Sequence, residues 1–197
     1  AHHPVEWHLL TDAPELLPAL SPRVRAIFAG VLAERGVRVH LSAPVARVDA
    51  GAVHTSNGLV LAVDATVWAT GAGAAPWVSD SALATDGGGF VVVNGFLQSV
   101  SHPEVYAVGD IAGMQGAARP KSGVYAVRQG PPLAHNLRAA LAGRALAPYA
   151  PQRQALALIT TGGRHAVATR GALTLQGAWV WRWKDWIDRR FMARYRG

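Results

Sequence analysis

The sequence VYAVGDIA occupies residues 105–112. Its four mostly apolar residues run into Gly109 and Asp110, and a small glycine-rich loop follows. This pattern predicts a buried parallel strand that ends at the glycine. Because open α/β sheets bind ligands at the carboxyl ends of their strands, Asp110 is a candidate acceptor for the hydroxyls of a nucleotide ribose or ribitol. The alternative is an ordinary strand-end acid that caps the next turn.

Composition narrows the class of protein. The 197 residues are 50% hydrophobic and 16% charged, which is enough for a core in one large domain or in parts of two. No apolar run is long enough to predict a transmembrane helix, and the features of a signal peptide are lacking. The chain has no cysteine, which excludes disulfides, thiolate metal sites and a redox-active cysteine pair. Any redox chemistry would therefore depend on a bound cofactor.

The formal net charge of +7 favours an anionic partner. Nucleic acid, an anionic lipid surface and the pyrophosphate of a dinucleotide cofactor all fit that description. We expect no nucleic acid, because the sequence contains no helix-turn-helix, zinc module or stacking platform.

Residues 5–41 predict a β-α-β unit. Ser21, followed by a proline, is a helix start with serine at the N-cap and proline at the first helical position, and a glycine ends the helix. Short antiparallel strands follow over residues 45–63, where an Asn-Gly pair predicts a hairpin turn. Residues 65–71 then predict a buried strand that ends in Thr-Gly.

The second half of the chain is also predicted to contain both helices and strands. Residues 86–89, Asp-Gly-Gly-Gly, predict a flexible crossing between lobes. A helix is predicted over residues 122–141, with a bend at Pro131–Pro132. Three short strands are predicted within residues 154–175, and the chain ends in a basic, tryptophan-rich amphipathic helix over residues 179–196.

Residues 106–136 resemble the second FAD-binding segment of the pyridine nucleotide-disulfide oxidoreductase family. The strand-Gly-Asp motif and the sequence RPKSGVYAVRQG, residues 119–130, carry the resemblance. In that family the aspartate binds the flavin ribitol, and the helix directs its N-terminal N–H groups at the pyrimidine side of the isoalloxazine ring, where a positive dipole end stabilises negative charge. The resemblance implies FAD contacts from Gly109, Asp110, Lys121, Ser122, Gly123, Val124, Tyr125 and Ala126.

Polar groups near the expected flavin edge are Lys121, Tyr125 and Arg128. For Lys121 the alternative is a first-turn residue in solvent. The type II NADH dehydrogenases of the family carry a glutamine at the position of Val124, where it shapes the quinone and nicotinamide surroundings. This departure leaves the electron acceptor open between a small molecule and a quinone-like compound.

The order of elements over residues 5–71 resembles the second half of the family's NAD(P)H domain. The resemblance implies that Thr70 and Gly71 lie near the bound nicotinamide cofactor, and that Thr11 or Asp12 meets the adenosine ribose at the end of the first strand. The alternative for Asp12 is a plain loop residue. NADH and NADPH both remain open.

A G-x-G-x-x-G fingerprint is missing, since Pro76 stands where the third glycine of a motif starting at Gly71 should be. The family has two such motifs, each upstream of a segment seen here. We therefore expect the C-terminal part of a longer flavoprotein. Its expected fold class is α/β, with partial FAD/NAD(P)-binding Rossmann-like (three-layer β/β/α) halves and a small C-terminal α+β region. The expected domains are residues 1–86 from the NAD(P)H-binding domain, 87–147 from the FAD-binding domain, and 148–197.

The resemblance implies a FAD-dependent NAD(P)H oxidoreductase that passes hydride from nicotinamide to the flavin and electrons on to an acceptor. The cofactor would carry the chemistry, so no residue is expected as an obligatory acid, base, nucleophile or metal ligand. The alternative is a catalytically silent fragment or docking module. Residues 128–196 are also similar to a narrower bacterial subgroup, the NADH dehydrogenase-like flavoprotein module found alone or fused to selenide, water dikinase, which implies a link to that enzyme.

The C-terminal helix leaves two interpretations open. Its predicted stripe of Trp179, Trp183, Trp186, Ile187 and Arg190 suits an anionic membrane surface, and residues 178–196 would then make a peripheral contact. Alternatively, the stripe packs on the FAD lobe or on the second copy of a homodimer. The expected location is cytoplasmic, with or without contact to the inner face of the membrane.

Overall fold

The computed structural model describes residues 5–195. These residues form two compact units. The first unit comprises the described residues of Ala1–Val67 together with those of Leu156–Gly197, and the second unit is Trp68–Ala155. The three domains expected from the sequence do not map one-to-one onto these units, and their boundaries stay a prediction.

The chain combines helices with short strands, as the sequence predicts. In chain order the elements are β1 (Trp7–Leu10), α1 (Pro22–Glu34), β2 (Val37–His40), β3 (Val45–Val48), β4 (Ala52–Thr55), β5 (Val60–Ala62), α2 (Pro76–Ser79), β6 (Val91–Val93), a 3-10 turn (Gly109–Ile111), β7 (Ala112–Met114), α3 (Gly123–Leu141), β8 (Ala157–Gly162), β9 (His165–Arg170), β10 (Leu173–Gly177) and α4 (Ala178–Ala193). Within the described residues, none of the helices has the length and apolar character needed to cross a membrane.

The predicted β-α-β unit is confirmed in the first unit. β1 and β2 pair in parallel, with α1 between them in sequence. Ser21 is extended at the N-cap and a proline opens the helix, while Gly36 follows its end with a φ of +68°. β3, β4 and β5 form an antiparallel sheet. The predicted Asn-Gly hairpin turn joins β4 to β5, with Gly58 at a φ of +91°.

The C-terminal part of the first unit is a three-stranded antiparallel sheet covered by α4. The strand order is β10-β9-β8, which confirms the three predicted strands. α4 packs against this sheet through Val180, which is fully buried beside Ala166 and Ala168 of β9. Arg35, at the end of α1, donates a hydrogen bond to the carbonyl of Thr161 in β8 and so links the two parts of the unit.

The tryptophan stripe of α4 is divided between the sheet and solvent. Trp183 packs against the buried cluster around Val180, as does Trp181, which the predicted stripe omits. Trp179 and Trp186 are 50% and 55% exposed. The predicted helix is confirmed as far as Ala193, whereas Arg196, its expected last residue, lies outside the described residues.

The core of the second unit lies around the short parallel pair β6 and β7. Val91 of β6 is opposite Ala112 of β7, and both are buried together with Val78 of α2 and Val93. β7 falls where the sequence predicts only a loop after Asp110. The Asp-Gly-Gly-Gly segment before β6 is a turn in which the Asp86 side chain accepts N–H bonds at 2.9 and 3.1 Å from two following residues.

Two predicted buried strands are wrong. Residues 105–108 make a single antiparallel bridge, between Tyr106 and Gln98, and bond locally to residues 97–99. Residues 65–70 are irregular and exposed, with Val67 83% accessible. A parallel strand is stable only between hydrogen-bonded neighbours. Residues 5–195 provide no parallel partner strand for either segment, so the apolar run alone does not produce the predicted strand.

α3 begins one residue after its predicted start and runs through the proline pair to Leu141. Its buried residues are Tyr125, Gln129, Asn136 and Ala139. The helical spacing of Val124, Val127, Leu133, Leu137 and Leu141 predicts the helix and an apolar buried face, but these residues lie largely exposed, as Val127 at 47% and Leu141 at 90% show. The face of α3 that packs against the rest of the second unit is therefore its more polar face.

Candidate cofactor-binding site

The second unit contains a cavity of about 210 Å³ between β6, β7, the 3-10 turn and the first turns of α3. Pockets that enclose a whole small ligand are usually larger, roughly 300–1,000 Å³. The cavity therefore has room for part of a dinucleotide. The predicted site residues that line it are Gly109, Asp110, Lys121, Tyr125 and Ala126.

Gly109 and Asp110 enter the cavity on the 3-10 turn. Gly109 has a φ of +73°, a left-handed conformation that side-chain-bearing residues rarely adopt, so glycine is required here for its backbone. The Asp110 side chain is exposed and, within residues 5–195, accepts no hydrogen bond. Both carboxylate oxygens are therefore free to accept hydrogen bonds from hydroxyl groups in the cavity.

The N-terminal turn of α3 lies next to the cavity: Tyr125 and Ala126 line it, whereas the predicted site residues Ser122, Gly123 and Val124 do not. Ser122 is extended, and its carbonyl accepts N–H bonds from Tyr125 at 3.0 Å and Ala126 at 3.2 Å. The Ser122 side chain makes no cap, and the N–H groups of Gly123 and Val124 have no partner in the described part of the chain. These free donors and the positive end of a 19-residue helix favour an electronegative group at this point.

Lys121 lies on the wall of the cavity, although the sequence also allowed a position in solvent. Its Nζ donates to the carbonyl oxygen of Ala112 at 2.7 Å and stands 3.9 Å from the centre of the Phe90 ring. Burial lowers the pKa of this amine, while the nearby carboxylates of Asp86 and Asp110 oppose that change. The lysine thus brings a positive charge to a cavity that also has two acids on its lining.

Gln129 is a site residue that the sequence analysis missed. It is buried at 6% exposure, one helical turn after Tyr125. Its Oε1 accepts the N–H of Gly109 at 2.5 Å, and its Nε2 lies 3.9 Å from the Sδ of Met114. The available signal was an uncharged polar residue four positions after Tyr125, which places both on one face of the helix.

The residues expected near the nicotinamide cofactor are not brought into this cavity. Thr11 belongs to the first unit, where its Oγ1 accepts the N–H of Ala13 at 3.2 Å, and its neighbour Asp12 is exposed. Thr70 and Gly71 belong to the second unit but lie in its irregular, exposed segment. Their predicted strand did not form, and their part in binding stays a prediction.

Comparison with known sequences assigns the family. The family described as pyridine nucleotide-disulphide oxidoreductase matches residues 1–135, so the chain belongs to this family. Its members are FAD- and NAD(P)H-dependent oxidoreductases, and the family predicted from the Gly-Asp motif and the helix start is confirmed.

Two curated relatives are similar over most of the chain. Ferroptosis suppressor protein 1 of Xenopus tropicalis is 31% identical over 160 residues, which cover 74% of this chain and 41% of that protein. The type II NADH:quinone oxidoreductase Ndh of Mycobacterium tuberculosis is 29% identical over 183 residues, which cover 88% of this chain and 39% of that protein. The chain thus spans less than half the length of the curated relatives it matches.

Solved structures share the fold. The sulfide:quinone oxidoreductase of Aquifex aeolicus matches with a TM-score of 0.75 and 17% identity, over 96% of this chain and 50% of that one. The ferredoxin reductase for the CYP199A2 system of Rhodopseudomonas palustris matches with a TM-score of 0.60 and 19% identity, over 87% of this chain and 50% of that one. The predicted α/β class with partial FAD/NAD(P)-binding halves is confirmed.

Proposed function

We propose that the protein carrying this chain is a FAD-dependent NAD(P)H oxidoreductase, and that the chain supplies the second FAD-binding segment. The observation that carries the proposal is one cavity bordered by the exposed carboxylate of Asp110 and by the N-terminal turn of α3. Family membership supports the class of reaction. The Asp110 carboxylate and the α3 N-terminus are the groups that would bind the cofactor.

The donor and acceptor groups in the cavity, and those of the α3 N-terminus next to it, fit a flavin. A ribitol chain presents hydroxyl groups, which are suitable donors for the two free oxygens of Asp110. The pyrimidine side of an isoalloxazine ring presents carbonyl and ring-nitrogen acceptors, which suit the free N–H groups of Gly123 and Val124 and the positive end of α3. Gly109 has no side chain, so the backbone beside the cavity adopts its positive φ without strain.

The bound flavin would supply the redox chemistry by accepting hydride equivalents from a reduced nicotinamide. The residues of this chain would bind and orient it: Asp110 through its carboxylate and α3 through its N–H groups. Lys121 would place a positive charge beside the ring edge; burial lowers the pKa of its amine, and the carboxylates of Asp86 and Asp110 counter that lowering. We assign no catalytic residue within the chain.

For the acceptor we propose a small molecule or quinone-like compound. The support is the name of one curated relative, which is an NADH:quinone oxidoreductase. Val124 stands where the type II NADH dehydrogenases carry glutamine, so we expect the surroundings of the acceptor to differ from theirs. We further propose that the exposed Trp179 and Trp186 of α4 contact a membrane surface or a second copy.

The proposal predicts that Asp110→Asn weakens FAD binding by roughly ten- to hundredfold, because a neutral amide replaces a charged acceptor of hydroxyl hydrogen bonds. FAD titration of the apoprotein, followed by flavin fluorescence, measures the change. Asp64→Asn is the matched control, since Asp64 is exposed and makes no ion pair within residues 5–195. Equal affinities for the wild type and Asp110→Asn would contradict the proposed role of Asp110.

A further inference from the structure

We infer that Gln129 is a positioning residue for FAD: its side-chain amide fixes the Gly109–Asp110 turn so that the Asp110 carboxylate is presented to the cofactor. The inference rests on the proposed function, because it concerns how the same cavity holds its ligand. Gln129 itself is assigned no contact with the cofactor.

The turn depends on Gln129 for one of its backbone hydrogen bonds. Gly109 is the first residue of the 3-10 turn, and its N–H, like every N–H at the start of a helical turn, has no acceptor within the turn. The acceptor is the Gln129 Oε1 at 2.5 Å, from a residue 20 positions later in the chain. Val108, at the N-cap, offers no side-chain acceptor of its own. The N–H of Gly109 is therefore capped by a side chain distant in sequence, whereas such caps usually come from a neighbouring residue.

Burial makes this hydrogen bond consequential. Gln129 is 6% exposed, so water has little access to replace its amide oxygen. Its Nε2 lies 3.9 Å from the Sδ of Met114 in β7. One side chain of α3 thus contacts two walls of the cavity, the turn that carries Asp110 and the strand that follows it.

The conformation of Gly109 explains why positioning is needed. A glycine at a φ of +73° has access to other backbone regions at little cost. Without the Gln129 bond, the turn gains conformations in which the Asp110 carboxylate does not face the cavity. FAD would then bind only those molecules whose Asp110 carboxylate faces the cavity. The apparent affinity for FAD would fall in proportion to their fraction.

The test is a double-mutant cycle on the protein carrying this chain, with FAD affinity as the readout. Gln129→Leu keeps approximately the volume of the side chain and removes both polar atoms. We expect it to weaken FAD binding roughly five- to tenfold in the wild-type background. In the Asp110→Asn background we expect less than a twofold effect, because the group being positioned has lost its charge. Gln154→Leu, at an exposed position of the second unit, is the control.

The cycle separates positioning from general damage to the fold. The same fold-loss in both backgrounds, or no loss in either, would overturn the inference while leaving the role of Asp110 intact. If Gln129→Leu does not fold, Gly109→Ala perturbs the same turn from the backbone side, and we expect it to show the same coupling to Asp110→Asn. A wild-type protein that binds no FAD would overturn the proposed function and this inference together.

Discussion

Asn136 shows how a single buried polar residue can hold the second unit together. It is fully buried, and its Oδ1 accepts the N–H of Ala147 at 2.9 Å. Its Nδ2 donates to the carbonyls of Phe96 and Ala147, each at 3.0 Å. The side chain thereby ties α3 to the turn after β6 and to the segment that follows the helix.

We predict that Asn136→Ala lowers the free energy of unfolding by about 2–4 kcal/mol, because it removes three hydrogen bonds and empties space at a fully buried position. Urea unfolding of the two proteins measures the difference. Gln154→Ala, an exposed change in the same unit, should alter stability by no more than about 0.5 kcal/mol. An Asn136 variant as stable as this control would show that the three hydrogen bonds contribute little.

The residues of the candidate site differ in how far the sequence could predict them. Gly109 and Asp110 were identifiable because a glycine and an acid after an apolar run form a local signal. Lys121 was identifiable as a nearby cation, but its contact with Phe90 depends on folding and could not be read locally. Gln129 was missed because its role is defined by the Gly109 N–H, 20 residues away; its spacing from Tyr125 indicates a shared helix face but not that partner.

At the level of elements, the sequence predicted correctly those features that are stabilised by interactions between neighbouring residues. The serine-proline start of α1 and the Asn-Gly turn after β4 were predicted correctly, because caps and tight turns are set by a few neighbouring residues. The strands at residues 65–70 and 105–108 failed because a parallel strand requires partners from elsewhere. α3 was predicted correctly as a helix, but its buried face was not.

The packing of α4 leads to a prediction about which of its faces stabilises the first unit. Val180 is fully buried against β9, whereas Trp179 beside it is 50% exposed. We expect Val180→Ala to lower the free energy of unfolding by about 1–3 kcal/mol, through lost burial and the cavity left behind. Trp179→Ala should cost no more than about 0.5 kcal/mol. Thermal unfolding compares the two, and a larger loss for the tryptophan would contradict this packing.

At the scale of the whole molecule, the chain covers 41% and 39% of its two curated relatives, and the cavity around Asp110 is the part of the cofactor site that we propose it supplies. Asp110 and the first residue of α3, Gly123, are close together in the sequence, so this part of the proposed site is recognisable from a short segment. The glycine-rich phosphate-binding loops of the family are not in the chain. The proposed activity accordingly belongs to the protein that carries this chain and not to these residues alone.

The most direct test of the central claim is the visible absorption spectrum of the purified protein, recorded without oxygen before and after addition of NADH or NADPH. A FAD-dependent NAD(P)H oxidoreductase should show flavin bands that bleach when one of the two nicotinamides is added. Flavin bands that neither reductant bleaches would contradict the proposed hydride donor. A colourless protein that takes up no added FAD would contradict the account, and would favour a catalytically silent docking module.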